Sequence, residues 1–268
     1  MLHQRGRCWF QQLCATHLPV SPDSPSLLVA DTSLAGWPAR YITVVPDRHN
    51  PFPRARSGEV GLREGWALAS AVQDAMQADQ AQDKKRAIIA IIDTPGQAYG
   101  RREEAFGIHQ ALAAAAGAYA RARLAGHPVI GLIVGKAMSG AFLAHGYQAN
   151  RLLALDDSGV MVHAMGKEAA ARITLRTVAE LEALAASIPP MAYDIGSYAS
   201  LGLLWRLLPV RNADQPLPED VQMVRATLEE ALLDIQASMD CSLVQRLQGP
   251  HRQASRRVRT LLREQWPD

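Results

Sequence analysis

Two short stretches hold residue types whose spacing could support catalysis. DTPGQAYGRREE (93–104) and VGKAMSGAF (134–142) each follow an apolar run and lead into a helical pattern. In both, a glycine-containing turn stands where a buried strand hands over to a helix. The first N–H groups of a helix have no internal acceptor, and partial positive charge gathers there. If the two strands are neighbours, both turns open at the same end of the sheet. One N–H from Gly96–Gln97 and one from Ser139–Gly140 then converge on a single oxygen. That arrangement is an oxyanion hole, worth roughly 10²–10³ in rate per donor. The competing reading is that these glycines only permit close packing.

Other chemistries fit less well. A phosphate-binding P-loop needs four residues between its glycine and Gly-Lys, then Ser or Thr. Here three residues separate Gly131 from Gly135–Lys136, and Ala137 follows. A nucleophile elbow around Ser139 needs glycines at 137 and 141, and both are alanines. No GxGxxG follows a strand pattern, and HExxH is absent, so neither a dinucleotide nor a zinc-protease motif is present. His163 lies 24 residues after Ser139 in a strand pattern. It reads either as half of a Ser–His pair or as a satisfied core histidine. His109 and His145 read as core or interface residues. Glu103 and Glu104 fall in a helix first turn, where the dipole alone favours acids. Asp156 and Asp157 sit in an ordinary turn. Arg48, Arg54 and Arg56 decorate one loop, and Arg252, Arg256, Arg257 and Arg259 a terminal helix. Each set reads as a phosphate contact or as a solvated face.

These turns need strands and helices to hold them. YITVV (41–45) reads as a strand, and Leu62 to about Met76 as a helix. AIIAIID (87–93) has no polar face, the mark of a strand buried on both sides. Glu103 to about Ala125 reads as one alanine-rich helix, able to pack closely on several sides and stopped by Gly126 and Pro128. VIGLIV (129–134) is a second buried strand and Gly140–Ala149 a second buried helix. LLAL (152–155) and VMVHA (160–164) are short strands around DDSG. Helical patterns follow at about 167–173, 177–187 and 190–204, and WRLLPV (205–210) is a last strand. The first twenty residues suggest a short helix, and SPDSPS (21–26) is a break. NADQPLPED (212–220) links to helices at about 219–238 and 251–265. The repeated strand-then-helix unit with a short strand pair after it predicts an α/β fold, a ββα superhelix rather than a Rossmann sheet. We expect an N-terminal extension over 1–40, a superhelix core over 41–211 and a C-terminal helical segment of the same domain over 212–268.

The bulk properties exclude several classes. The 268 residues are 48% apolar and 20% charged, ordinary globular usage that supports a sizeable core. A formal net charge of +2 points to neither nucleic acid nor a membrane surface. No run of about 18 uncharged apolar residues exists to span a membrane. The N-terminus lacks the continuous apolar core of a secretion signal. Cys8, Cys14 and Cys241 have no zinc or CxxC spacing, and so sparse a set suits the cytoplasm. No metal site is expected.

DTPG, a long alanine-rich helix, a strand and GKAMSGAFLAHG together resemble the carboxyltransferase branch of the crotonase/ClpP-like superfamily. DRHNPFPRARSGEVGLREGW (47–66) and DTPGQAYGRREEAFGIHQALAAAAGAYA (93–120) narrow the resemblance to gamma subunits of biotin-independent malonate decarboxylase. It covers roughly residues 5–265. The resemblance implies a crotonase/ClpP-like ββα superhelix with additional C-terminal helices. It implies a beta subunit of the same fold as partner, and decarboxylation of malonyl-S-acyl carrier protein to acetyl-S-acyl carrier protein. The substrate would ride on the carrier's coenzyme-A-like arm, with no covalent cofactor, biotin, metal or NAD on this chain. By analogy, Gly96, Gln97, Ser139 and Gly140 would hold the carboxylate or emerging CO₂, with Tyr99, Lys136 and His163 as substrate-binding groups. Three rivals share the pattern: a biotin-dependent acyl-CoA carboxyltransferase subunit, a Clp-type serine hydrolase, and a non-catalytic scaffold. Aligning Gly-Ala-Phe-Leu with the Clp pattern puts Met138, not Ser139, at the nucleophile position.

Overall fold

The structure is a computed structural model and describes residues 5–14, 19–20, 24–238 and 240–266. The chain runs α1 (Arg5–Cys14), β1 (Pro19–Val20), β2 (Leu27–Leu34), β3 (Trp37–Val44), α2 (Leu62–Ala78), β4 (Ala87–Thr94), α3 (Arg101–Ala105) and α4 (Ile108–Leu124). It continues with β5 (Val129–Met138), α5 (Ser139–Ala144), β6 (Arg151–Leu155), β7 (Met161–His163), α6 (Lys167–Thr174) and α7 (Val178–Ala185). It ends with α8 (Ile195–Ser200), β8 (Arg206–Leu208), α9 (Pro218–Ala237) and α10 (Gln253–Gln265). The expected break at 21–26 and the ends of the expected N-terminal helix fall partly outside the described residues.

One mixed sheet carries the fold, in the order β1-β2-β3-β4-β5-β6-β8. β1 to β3 are antiparallel, and the rest run parallel from β3 onward. Every residue of β4 is buried, as an unbroken β-branched run requires between two covering layers. β4 and β5 are parallel neighbours, so their C-terminal turns do open at one end of the sheet. β7 pairs with the last third of β5 (Lys136↔Met161 to Met138↔His163), while β6 pairs with its first half. This splitting extends β5 beyond the expected 129–134. It also means that β6 and β7 flank β5 rather than pair with each other. Leu27–Leu34 forms a strand on β3 that the pattern at the sequence level did not reveal.

Three helix expectations differ in detail: of the pattern at about 190–204, only Ile195–Ser200 is α-helical. The long helix is broken by Gly107, whose φ of 80° lies in the left-handed region that only glycine enters freely. Gly140–Ala149 is helical only to Ala144. The alanine seam behaves as expected. Ala111, Ala115, Ala118 and Ala122 recur on one buried face of α4. Gly65 of α2 comes so close that a Cβ there would lie 2.8 Å from the Ala111 backbone.

A fully buried polar pair ties the layers behind the turns. The Tyr119 hydroxyl on α4 donates to His145 Nδ1 (3.0 Å), and His145 Nε2–H donates to Ile91 O on β4 (2.9 Å). Burial holds the His145 imidazole down to about 4. An unfolded histidine titrates near 6.5 (as a typical value, roughly), so between these values only the unfolded chain takes the extra proton. The stability contribution is therefore full above the unfolded value and is lost as pH falls towards the folded one. It amounts to about 3 kcal/mol. Denaturation midpoints should fall on acidification from neutrality, and fall less steeply in His145→Gln. Equal slopes for the two proteins would contradict this assignment.

Candidate active site

The first turn is fixed from outside the sheet. A register shift between Ile92 and Thr94 leaves Asp93 in a bulge. Its buried carboxylate accepts from the Lys136 N–H (3.1 Å) and from the Gly6 N–H of α1 (3.2 Å). Beyond it, Val60 makes a parallel bridge to Gln97. Val60 N–H donates to Gly96 O (3.0 Å) and Ala98 N–H to Val60 O (2.8 Å). These bonds use the carbonyl of Gly96 and the amide of Ala98. Among the described residues the Gly96 and Gln97 N–H groups have no intrachain acceptor.

The second turn is built under strain. Ser139 has φ of 59°, one of three non-glycine residues in the left-handed region among the described residues. Such a conformation costs of order 1–3 kcal/mol and persists only where surroundings enforce it. Here the pairing of β5 with β7, which runs up to Met138↔His163, does so, and the Ser139 hydroxyl adds a bond to Ala164 O just beyond β7 (3.0 Å). The next residue, Gly140, lies in the first turn of α5, where an N–H has no helical acceptor. α5 is only six residues long, so the amides themselves rather than a macrodipole must do the work.

The two turns meet. A Cβ built on Gly140 would collide with the Gln97 side-chain oxygen. Close packing and an exposed amide are thus not alternatives at Gly140, because the absent side chain is what lets Gln97 approach. Gly96 is less constrained: its Cβ would sit 3.6 Å from Glu59 Oε1, an ordinary contact.

Ser139, Gly140 and His163 line one cavity of about 450 Å³ with Phe142, Tyr147 and Tyr198. Pro189 and Pro190 close one side, and the small separate core of α6 and α7 (Ala170, Ala171, Leu181) stands next to them. The lining is mainly apolar, so a charged group entering it loses water and feels each donor more strongly. Tyr198 is buried, and its hydroxyl has no partner among the described residues. Gln97 reaches this site through Gly140 and is not itself part of the lining. Gly96, Tyr99 and Lys136 lie outside it. Tyr99 is 52% exposed and stacks under the Arg54 guanidinium (4.1 Å), which also pairs with Glu59. Arg56 donates to Asn50 O. Arg54 and Arg56 therefore serve the loop itself.

The geometry does not make a Ser–His pair. Ser139 Oγ is bonded to Ala164 O, and His163 Nδ1 lies against the Met165 backbone (3.0 Å to O). Burial lowers the His163 pKa, so its ring is neutral near pH 7. Ser139→Ala keeps every backbone donor and should retain turnover within about fivefold, the lost hydroxyl bond being worth about 1 kcal/mol. Turnover abolished by this change, with labelling of Ser139 by a serine-directed probe in the unaltered protein, would restore the hydrolase reading.

Three residues that shape the site were not singled out from sequence. Asp93 was visible as the one charge ending an apolar strand. Glu64 carried a signal as the acid three residues after Gly61 at a helix start. Tyr193 carried none, since its place depends on a pairing with β7 across some thirty residues (Val162 N–H to Tyr193 O, 3.0 Å). Among the described residues, no cluster of His, Cys, Asp and Glu could hold a metal ion, and no helix is long and apolar enough to cross a membrane.

Comparison with known proteins agrees with this architecture. Transcarboxylase 12S, of the crotonase fold, shares it at 18% identity and TM-score 0.66, over 88% of this chain and 42% of that one. The Malonyl-S-ACP:biotin-protein carboxyltransferase MADD of Malonomonas rubra is 39% identical over 154 residues. That match takes in 56% of this chain and 53% of MADD, so the chain spans about half the length of this relative. A chain of a Pseudomonas malonate decarboxylase hetero-tetramer, crystallised with coenzyme A, is 66% identical with TM-score 0.94, over 98% of this chain and 99% of its own. A chain of the Pseudomonas MdcD-MdcE hetero-dimer is 63% identical with TM-score 0.90, over the same 98% and 99%. The family model for the malonate decarboxylase gamma subunit matches residues 55–266. With a sheet, two meeting turns and near-full-length relatives in agreement, the chain belongs to the malonate decarboxylase gamma subunit family.

Proposed function

We propose that this chain pairs with a beta subunit of the same fold and that the pair decarboxylates malonyl-S-acyl carrier protein to acetyl-S-acyl carrier protein and CO₂. The observation that carries the reading is the meeting of Gln97 with Gly140, which lines an apolar cavity, in a chain of this family. The Pseudomonas relatives are hetero-oligomers, and MADD is named for a malonyl-S-ACP substrate.

The chemistry follows from charge. The bond between Cα and the carboxylate carbon breaks, CO₂ departs, and the electron pair moves onto the thioester oxygen as an enolate. Cα then takes a proton. N–H donors aimed at that oxygen lower the barrier, and in this reading they belong mainly to the beta subunit. The turns at Gly96–Gln97 and Ser139–Gly140 hold the carboxylate out of the carbonyl plane and receive the emerging CO₂. His163 supplies a neutral donor beside them, and the apolar walls favour neutral CO₂ over the anion. Tyr99 and Lys136 act at the approach to the site rather than within the cavity. The thioester rides on the carrier's coenzyme-A-like arm, and no cofactor is bound covalently by this chain. Cys8, Cys14 and Cys241 are free thiols, which suits the cytoplasm, where we place the complex.

The test is to purify the chain with its beta partner and measure CO₂ release from malonyl-carrier and from malonyl-coenzyme A. Release that requires both chains supports the proposal. Full activity of the partner alone favours a scaffold role. Carboxyl transfer to a biotinyl protein in place of CO₂ release favours a carboxyltransferase.

A further inference from the structure

His163 is held on two sides and open on a third. The segment 192–194 runs antiparallel beside β7, with Met161 bridged to Asp194. That pairing lays the Tyr193 ring flat on the imidazole, with centroids 3.9 Å apart and planes 12° from parallel. The Nδ1 edge is taken by the peptide of Met165, whose N–H lies 3.2 Å away. Among the described residues, Nε2 has no partner, and the ring lines the cavity beside Ser139 and Gly140. The Met165 carbonyl O lies 3.0 Å from Nδ1 as well, so the free ring can take either tautomer; a carboxylate facing Nε2 selects the one in which Nδ1 accepts from Met165 N–H and Nε2–H donates. The stack continues outward: the Lys167 ammonium lies 5.5 Å from the Tyr193 ring centroid and pairs with Glu182 at 2.7 Å.

We propose that Tyr193 is a positioning residue, whose ring fixes the plane of His163 so that Nε2–H points at the substrate carboxylate. This inference rests on the function proposed above, which puts the carboxylate at the Ser139–Gly140 turn. An imidazole edged by one peptide can still rotate about that edge. An aromatic face stacked on the ring removes this freedom before substrate arrives, and preorganised donors are the ones that lower barriers. The face does the positioning and the hydroxyl does not, since the Tyr193 oxygen is buried without a partner.

The experiment compares CO₂ release from malonyl-carrier by beta–gamma complexes assembled with variants of this chain. Tyr193→Phe keeps the face and should stay within about twofold of the unaltered complex, and Tyr193→Leu should lose about tenfold in kcat with little change in KM. The double variant His163→Ala, Tyr193→Leu should be no slower than His163→Ala alone, because a residue acting through another adds nothing once that other is gone. Losses that multiply, or a Tyr193→Leu complex at full rate beside an impaired His163→Ala, overturn this inference alone. His163→Ala at full rate overturns the placing of His163 at the substrate, and this inference with it. If Tyr193→Leu does not assemble, Tyr193→Met, which has bulk but no aromatic face, carries the same expectations.

Discussion

Gly140→Val is expected to reduce CO₂ release by the assembled beta–gamma complex about 100-fold, the effect of misplacing the group that holds the carboxylate. The new Cβ cannot be placed without driving off the Gln97 carboxamide, since the two would overlap. Leu112 Cδ1, 3.4 Å from the same point, limits escape on the other side. The turn must therefore shift, and its amide moves with it. Gly140→Ala meets the same oxygen and should show most of the loss. By contrast, Gly96→Ala has room beside Glu59 and should be mild. Co-elution with the beta partner separates this from misassembly. A paired Gly140→Val complex with ordinary turnover would contradict the role of the turn.

The second large effect is expected at Glu64, which is fully buried in the first turn of α2. One carboxylate oxygen accepts from Ser26 Oγ and from Asn50 Nδ2 (2.8 Å), and the other from the Gly61 N–H (3.0 Å). Asn50 in turn accepts from the Phe52 N–H at 3.0 Å. A single side chain thus organises the 50–61 loop, and Val60 of that loop holds Gly96 and Ala98 in place. Glu64→Ala strands the buried Asn50 and Gly61 donors, leaves Ser26 only its bond with Ser24 Oγ, and should cost about 4 kcal/mol. For a chain of this size that lowers Tm by about 10 °C. Turnover should fall as well, because the first turn loses its brace. Glu64→Gln keeps one acceptor and should cost less. A Tm for Glu64→Ala within about 2 °C of the unaltered protein would show that the loop is held by other means.

The strongest periodic signals were the ones that could be read without coordinates. β4 and β5 stand out because a strand covered on both faces has no polar positions to interrupt it. The alanine seam of α4 is equally plain, because small residues at helical spacing have few uses other than close approach. Adjacency of the two turns follows directly if β4 and β5 are parallel neighbours, as they are. What stayed hidden depends on pairing between distant segments. The antiparallel β2 strand faces mixed surroundings and carries a weaker pattern. The end of β5 is a strand only because β7 lies beside it. That same pairing imposes the left-handed backbone of Ser139, which local propensity would never suggest. His163 could be noticed as a candidate, but the neighbour that orients it could not. Lys136 and Tyr99 were reasonable candidates by proximity in sequence. The bulge at Asp93 draws the Lys136 amide inward, and Arg54 holds the Tyr99 ring at the surface.

The central claim is that the two turns of this chain hold the carboxylate that leaves. A structure of the beta–gamma complex with a malonyl thioester analogue that cannot lose CO₂ tests it most directly. The account predicts a carboxylate oxygen about 3 Å from the Gly140 N–H, with a second donor from the Gly96–Gln97 turn. A carboxylate seated wholly on the beta subunit, with the cavity beside Gly140 empty of substrate, would contradict it.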